Sequence, residues 1–187
     1  SRGLGDVYKR QVLMLSNFFF QIANLKNTPR TGWKAKLKIS NSESVADHTY
    51  MMSVMAMVLS DMKNMDTERI IKMTVLHDWA ESKIGDFMPD EITIEEKHEL
   101  EEKAMSEILS ELPDSLSQNY NTVWNDYITI SSTESRFVHE LDKLEMALQA
   151  KIYEKSVESE NINSFITSAI DGIADPDLKK ILSEIIQ

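Results

Sequence analysis

Apolar residues recur every three or four positions along most of the chain, and signals for helix ends separate the apolar runs. This spacing predicts amphipathic helices, because strands would alternate apolar and polar residues. Glycine is scarce, with 5 residues, and so is proline, with 4, which disfavours a turn-rich β architecture. The 187 residues suffice for one ordinary core. The sequence therefore predicts a single all-α domain.

Capping residues mark the predicted helix ends. Ser44 with Asp47, and Thr93 with Glu96, have the spacing at which a cap and the third helical residue bind each other's backbone. Thr67 is the predicted cap of the helix between them. The predicted helices cover residues 12–25, 44–61, 67–82, 93–112, 115–128 and 133–155, with a loop at 83–92 and a further helix start at Asp175-Pro176.

Residues 1–11 lack the helical spacing that begins at Val12. We interpret them as a leader, disordered or non-native, ahead of a domain that covers residues 12–187. The apolar run from Val12 to Leu25 is interrupted by polar residues and is too short to span a membrane. It is predicted to be an amphipathic helix rather than a signal peptide.

The chain is acidic, with a formal net charge of −11. Such a surface repels nucleic-acid polymers and anionic membranes, so neither is an expected partner. A small phosphorylated substrate is compatible with this charge where the site supplies its own cations. Residues 26–38 contain five cations and no acid: Lys26, Arg30, Lys34, Lys36 and Lys38. This basic stretch is either a solvated loop or a phosphate-binding segment, and the sequence leaves the two open.

Cysteine is absent. Thiolate metal sites and cysteine nucleophiles are therefore excluded, and any metal must be held by histidine and carboxylates. The composition fits a reducing compartment, and we expect a cytoplasmic protein.

Three ligand-type side chains are close together in one predicted helix. His77, Asp78 and Glu81 stand at positions i, i+1 and i+4, so their side chains leave the helix within an arc of about 100°. Apolar neighbours predict that this segment is buried, where an imidazole and two carboxylates without partners are costly. A metal ion removes that cost. The alternative is a capped helix end with a hydrogen-bonded core histidine.

His48 and Asp142 extend this set. His48 lies among apolar residues of its helix and is predicted to face inward. Asp142 interrupts the apolar stripe of the helix at 133–155, and a cation is the simplest partner for a buried carboxylate. The alternative for Asp142 is a salt bridge, for example to Arg136.

The order His48, His77-Asp78, Asp142 resembles the HD-domain superfamily of metal-dependent phosphohydrolases. Five stretches look like the 5'-deoxynucleotidase family of that superfamily, in its eukaryotic-type branch: LKNTPRTGW from Leu25, ESVADH from Glu43, LHDWAESKIGDFMP from Leu76, EEKHELEEKAM from Glu95 and LDKLEMALQAKIYE from Leu141. The resemblance covers about residues 18–154. It implies an HD-type helical bundle and an intracellular homodimer.

The resemblance also implies a role for each matching residue. His48, His77, Asp78 and Asp142 would hold one divalent cation, such as Mn, Co, Mg or Zn. A second cation would be held by Glu81, Asp86 and the carbonyl of Phe87. The implied catalytic residues are Glu81, Asp86 and Arg30, and the implied substrate-binding residues are Arg30, Trp33, Asp86 and Pro89. Thr31 and Gly32 separate Arg30 from Trp33, whereas bacterial relatives have arginine and tryptophan adjacent.

The expected reaction is the hydrolysis of deoxyribonucleoside 5'-monophosphates to deoxynucleoside and phosphate. A bound cation activates water and neutralises phosphoryl charge, and arginine offers a planar fork that matches phosphate. Two alternatives remain. One is another HD phosphohydrolase that acts on a different nucleotide, and the other is a catalytically silent helical module that binds metal.

Overall fold

The computed structural model describes residues 2–88, 91–155, 157 and 161–187. Within these residues the regular elements are helices, apart from an isolated bridge between Pro29 and Ser44. The prediction of an all-α domain is confirmed. The helices are α1 (Arg2–Ala23), α2 (Thr31–Leu37), α3 (Val45–Met62), α4 (Thr67–Leu76), α5 (Glu81–Ile84), α6 (Ile94–Leu109), α7 (Asp114–Thr129), α8 (Thr133–Glu154), α9 (Ile162–Gly172) and α10 (Pro176–Ile185), with a short 3-10 helix at Asn24–Lys26.

Helix α8 lies at the centre of the fold. It packs against α3, α4, α7, α9 and α10. Leu141, Leu144 and Ala147 are fully buried on it, so its apolar stripe faces the core as the spacing predicts. Because α8 is held on several sides, Asp142 and Glu145, which interrupt the stripe, are held rigidly at the edge of the core.

Most of the predicted caps are confirmed. Ser44 and Thr93 each form a complete capping box, with Asp47 and Glu96 respectively. The prediction for Thr67 is wrong, because Asp66 is the N-cap of α4 and its side chain accepts a hydrogen bond from the Arg69 amide. Asp175 caps α10 ahead of Pro176, as predicted.

Helix α1 begins at Arg2, so residues 2–11 are helical where the sequence shows no helical spacing. The interpretation of this segment as a leader stays a prediction. Farther along α1, Phe18 packs edge-on against Trp79, with ring centroids 5.2 Å apart, and joins the helix to the core. No helix in the described part of the chain is long and apolar enough to cross a membrane.

Candidate metal and phosphate site

The predicted helix over residues 67–82 is broken at the site. Helix α4 ends at Leu76 with His77 as its C-cap, and α5 starts at Glu81. Between them the backbone tightens, with amides bonded to carbonyls three residues earlier, as from Glu81 to Asp78 at 3.0 Å. The prediction of one continuous helix is therefore wrong here. His77, Asp78 and Glu81 nevertheless line the same cavity.

Each histidine directs its Nε2 toward a carboxylate of the site, His77 toward Asp78 and His48 toward Asp142. His77 Nδ1 lies 2.7 Å from the carbonyl of Thr74, which can only accept, so Nδ1 carries the proton. His48 Nδ1 lies 2.5 Å from the Glu145 carboxylate and is held in the same way. In a neutral ring the proton on Nδ1 leaves a lone pair on Nε2, which is how histidine ligates metals.

The four residues predicted to hold the first cation meet in space. One ligand atom each from His48, His77 and Asp78 lies within 4.8 Å of the others. Asp142 Oδ1 lies 3.3 Å from His48 Nε2, and Asp78 Oδ2 lies 3.0 Å from His77 Nε2. The predicted inward orientation of His48 is confirmed, since the residue is fully buried.

The donor atoms fit a cation. Among the described residues, three buried atoms of the site have no hydrogen-bond partner: His48 Nε2, Asp78 Oδ2 and Glu81 Oε2. Lone pairs on Nε2 would face carboxylate oxygens at close range, which is unfavourable unless positive charge lies between them. Imidazole nitrogen and carboxylate oxygen are ligands for Zn, Mn and similar divalent ions. The donor set therefore suits a divalent cation.

The pKa shifts of the site reflect strong interactions between its charged groups. Burial and Arg30 lower the pKa of His48, but the adjacent carboxylates of Asp142 and Glu145 outweigh them and raise it to about 9. Burial raises the pKa of Asp78, yet His77 and Arg30 bring it down to about 2. The shift of His48 reflects the carboxylates around it, and the shift of Asp78 reflects the cationic groups around it.

Arg30 lies across the entrance to these carboxylates. One guanidinium nitrogen is 3.8 Å from Asp78 Oδ2 and another is 3.8 Å from Asp142 Oδ1. The Arg30 amide donates to the Glu43 carbonyl, which ties the basic stretch to the start of α3. Asp142 is thus paired with Arg30 and His48, and the alternative partner Arg136 instead donates to Thr133 Oγ1.

The basic stretch is more ordered than either sequence interpretation suggested. Residues 31–37 form helix α2, with Arg30 as its N-cap, and Trp33 and Leu37 are buried. The helix is short and contains Gly32, a poor helix former, so the sequence gives no clear helical signal here. The helix fixes the direction in which Arg30 enters the site.

Glu81 and Asp86 face the cavity from the segment after the histidine. Glu81 is buried, and burial followed by repulsion from Asp78 and Asp86 raises its pKa well above the usual range. Burial also raises the pKa of Asp86, against the opposing effects of Arg30 and the Thr31 amide. Phe87 lines an adjoining cavity together with Asp86, whereas Pro89 lies outside the described residues.

Trp33 is buried and, next to Arg30, lines the same adjoining cavity as Phe87. Its indole N–H donates to Glu43 Oε1 at 2.7 Å, so it presents ring rather than a hydrogen-bond donor. The ring packs on Phe165, with centroids 4.1 Å apart. Burial and the nearby Glu145 raise the pKa of Glu43 to about 7.

Glu145, in the LDKLEMALQAKIYE stretch, is the hydrogen-bond partner of His48 Nδ1. Glu43 and Lys97 were given no role, although both stand in stretches that carry the resemblance. His139 stacks on Tyr127 with ring centroids 4.1 Å apart, and its Nε2 lies 3.0 Å from the Tyr127 carbonyl.

Two cavities meet at this site. One, of about 250 Å³, is lined by three of the metal-ligand candidates, His77, Asp78 and Asp142, with His48 buried behind them. The other, of about 290 Å³, extends along α2 toward α9. Four residues line both: Arg30, Asp86, Lys97 and Asp142. Arg30 and Lys97 are therefore the cations at the junction, within the part of the chain that the structure describes.

Comparisons with known proteins agree with this geometry. The family model of the HD domain matches residues 22–185. Over 174 residues the chain is 39% identical to 5'-deoxynucleotidase HDDC2 of Mus musculus, covering 91% of this chain and 86% of that protein. It is 37% identical over 180 residues to 5'-deoxynucleotidase hdd1 of Schizosaccharomyces pombe, covering 94% and 90%.

A solved structure shares the same architecture. A conserved hypothetical protein from Pyrococcus furiosus superposes with a TM-score of 0.74 at 27% identity, covering 90% of this chain and 97% of that one. The helical fold and the family match over residues 22–185 agree with each other. The chain belongs to the HD-domain family, in the group that contains these 5'-deoxynucleotidases.

Proposed function

We propose that this protein is a metal-dependent 5'-deoxynucleotidase that hydrolyses deoxyribonucleoside 5'-monophosphates to deoxynucleoside and phosphate. The observation that carries the proposal is the convergence of two histidine Nε2 atoms and two carboxylates directly behind Arg30. Two relatives, each covering more than nine-tenths of the chain, bear the name 5'-deoxynucleotidase, which supports the substrate class.

His48, His77, Asp78 and Asp142 are the proposed ligands of the first divalent cation. When bound, such a cation lowers the pKa of a water molecule and neutralises charge on phosphoryl oxygens. Glu81, Asp86 and the Phe87 carbonyl are the proposed ligands of a second cation. The donor set accommodates Mn, Co, Mg or Zn, and a metal screen is needed to choose among them.

Arg30 is the proposed phosphate-binding residue. Its guanidinium is anchored by weak contacts of 3.8 Å to Asp78 and Asp142, so its planar face and donors remain available to a phosphate at the cavity junction. Lys97 stands across the junction, 3.4 Å from Glu101, and adds a second positive charge.

Glu81 and Asp86 are the proposed acid and base. In the reaction, a water oxygen bonds to phosphorus while the bond from phosphorus to the 5'-oxygen breaks. One carboxylate takes the proton of the water and the other delivers a proton to the 5'-oxygen. A substrate with a good leaving group, such as 4-nitrophenyl phosphate, assigns the roles. Glu81→Gln and Asp86→Asn are compared on this substrate. The variant that has lost the acid regains activity, because a good leaving group needs no proton from it.

Trp33 and Pro89 are the remaining proposed substrate-binding residues. Since the indole N–H of Trp33 is bonded to Glu43, the residue offers no partner to a 2'-hydroxyl. A ribonucleotide would bury that hydroxyl against the ring without a hydrogen bond, which disfavours it relative to the deoxynucleotide. The ratio of kcat/KM between the two sugar types measures this discrimination.

A phosphate-release screen tests the proposed function. Purified protein is loaded with Mn, Co, Mg or Zn and incubated with ribo- and deoxynucleoside monophosphates, a triphosphate and a cyclic nucleotide. We expect release from deoxynucleoside monophosphates, abolished by Asp78→Ala together with metal binding. Glu99→Ala, at an exposed carboxylate of α6, is the matched control and retains both.

Each alternative has its own outcome. Cleavage of the triphosphate, or opening of the cyclic nucleotide to a monophosphate, without hydrolysis of the monophosphates would assign another HD phosphohydrolase activity. These products are identified by chromatography, because opening a cyclic phosphodiester releases no phosphate. Metal binding without release from any of the nucleotides would leave a silent metal-binding module and would sink the proposal.

We also propose a homodimer located in the cytoplasm. The support is an apolar surface on α1, where Leu13, Phe19 and Phe20 are each more than 60% exposed. Light scattering after gel filtration measures the mass, and Phe20→Ser is expected to lower it to that of a monomer. Cell fractionation tests the location.

A further inference from the structure

The two cavities differ in chemistry as well as in position. Besides three of the metal-ligand candidates, the cavity of about 250 Å³ is bordered by the carboxylates of Glu81, Asp86 and Glu101 and by the junction cations Arg30 and Lys97. The cavity of about 290 Å³ has an apolar wall, formed by Trp33, Phe87, Met88, Met146 and Phe165, and is also bordered by Lys36 and Lys143. A substrate whose phosphate lies at the junction can extend only into one of them.

We propose that α9 forms the nucleobase subsite of this cavity, with Ser164, Phe165 and Ser168 facing the base and Met146 of α8 completing the wall. The inference rests on the proposed function and names the part of the site that holds the base. The chemical class of its ligand is the heterocyclic base of a nucleoside 5'-monophosphate.

Charge decides which cavity holds the base. A nucleobase placed beside Glu81 and Glu101 would desolvate carboxylates without compensating them, which is unfavourable. Against Met146 and Phe165 it removes apolar surface from water instead, which is favourable. The base therefore binds on the α9 side, and the phosphate stays at Arg30.

The geometry of α9 suits this role. Ser164 and Ser168 stand one turn apart, so their hydroxyls share a face of the helix with the edge of Phe165 between them. The Phe165 ring is fixed by Trp33 and by Lys36, whose Nζ lies 5.1 Å from the ring centroid. This wall is consequently rigid, as a binding surface requires.

The hydroxyls predict how selective the subsite is. Ser164 Oγ donates to the Asn161 carbonyl at 2.7 Å, which leaves its lone pairs to accept from a base. A serine hydroxyl both donates and accepts, so it can meet the edges of different bases. We expect all four deoxynucleotides to bind within about tenfold of one another, because the serine hydroxyls do not fix one pattern of donors and acceptors.

Ser168→Trp tests the proposal, because an indole on this face fills the space assigned to the base. The two probes are deoxyadenosine 5'-monophosphate and deoxyribose 5-phosphate, which lacks the base. We expect the ratio of their kcat/KM values to fall at least tenfold in Ser168→Trp. Thr167→Trp is the control, since Thr167 is exposed on the same helix but does not line the cavity, and its ratio stays at the wild-type value.

Equilibrium binding separates this proposal from the proposed function. Calorimetry with the metal chelated measures the binding of both probes without turnover, and Ser168→Trp is expected to weaken only the probe that carries a base. Equal weakening of both probes, or of neither, would overturn the α9 subsite. Wild-type protein that binds deoxyadenosine 5'-monophosphate with this selectivity but releases no phosphate would refute the proposed function alone.

Discussion

Thr31 binds Asp86 through two hydrogen bonds of 2.7 Å. The Thr31 amide donates to Asp86 Oδ2, and the Thr31 hydroxyl donates to the Asp86 carbonyl. Thr31 follows Arg30 directly, and Asp86 is itself one of the proposed catalytic residues. The first turn of α2 therefore positions Arg30 and the Asp86 carboxylate as one unit.

This relationship predicts the effect of Thr31→Val. The variant keeps the amide bond to Asp86 but loses the hydroxyl bond, which contributes about 0.5–1.5 kcal/mol. We expect kcat to fall by up to about tenfold with little change in KM, because the carboxylate moves while Arg30 still holds phosphate. Thr31→Ser retains the hydroxyl and restores kcat to within about twofold. Equal kcat values for the two variants would contradict the positioning role.

Gly85 supports the same loop through its backbone. Its φ of 81° and ψ of 170° lie in a region that only glycine occupies readily. A Cβ added there meets nothing within 4 Å, so Gly85→Ala isolates backbone strain from crowding. We expect a loss of about 1–3 kcal/mol in unfolding free energy, measured by urea titration, or a shifted loop with lower kcat.

Gly32→Ala is the matched control. Its Cβ would meet the Phe165 ring at 3.6 Å, an ordinary contact, and alanine is the better helix former. That variant should unfold at the same or higher urea concentration. Equal loss in both glycine variants would show that the effect does not come from the conformation of Gly85.

Helix periodicity and caps predicted the architecture because both are local. The capping boxes at Ser44 and Thr93 formed as the spacing indicated. The break after Leu76 was not predicted, since the tightened turn between His77 and Ala80 carries neither glycine nor proline. Helix α2 was missed because seven residues with an internal glycine give too little periodicity.

In the candidate site, too, residues with a local sequence signal could be predicted and the others could not. The predicted ligands His48, His77, Asp78 and Asp142 meet, because a buried polar residue on an apolar face is a visible exception in the sequence. The contact of Thr31 with Asp86 spans 55 positions of the chain and has no local signature. Ser164 and Ser168 are ordinary helix residues until the fold brings α9 beside Trp33.

Glu145 is expected to control metal affinity through His48. It accepts the Nδ1 proton at 2.5 Å, which orients the ring and makes Nε2 a stronger donor. In Glu145→Gln the acceptor remains but its charge is lost, and we expect metal affinity to fall about 10–100-fold. Competition with a chromophoric chelator measures this without any substrate. Glu99→Gln should bind metal as the wild type does, and unchanged affinity in Glu145→Gln would argue against His48 as a ligand.

Asp126 provides a pH-dependent test of the fold, away from the metal ligands. Burial raises its pKa, but hydrogen bonds from Ser131, Arg69 and Ser132 outweigh burial and lower it to about 2. The Arg69 contact is 2.6 Å long and each serine contact is 2.7 Å. This carboxylate joins α4 to the turn between α7 and α8, so its charge stabilises the packing of three helices.

The sign of the pH dependence follows from the lowered pKa. The folded protein holds the proton of Asp126 less tightly than the unfolded chain, whose carboxyl titrates near pH 4. Stability from this group is therefore complete above about pH 5 and declines as the pH falls toward 2. We expect Asp126→Asn to lower the unfolding free energy by about 1–3 kcal/mol at pH 7 and by less at pH 3.

Urea titrations at both pH values measure the difference. The control Asp114→Asn, at an exposed position of α7, should show little effect at either pH. A deficit in Asp126→Asn that grows as the pH falls would be incompatible with a carboxylate held ionised by Arg69 and the two serines.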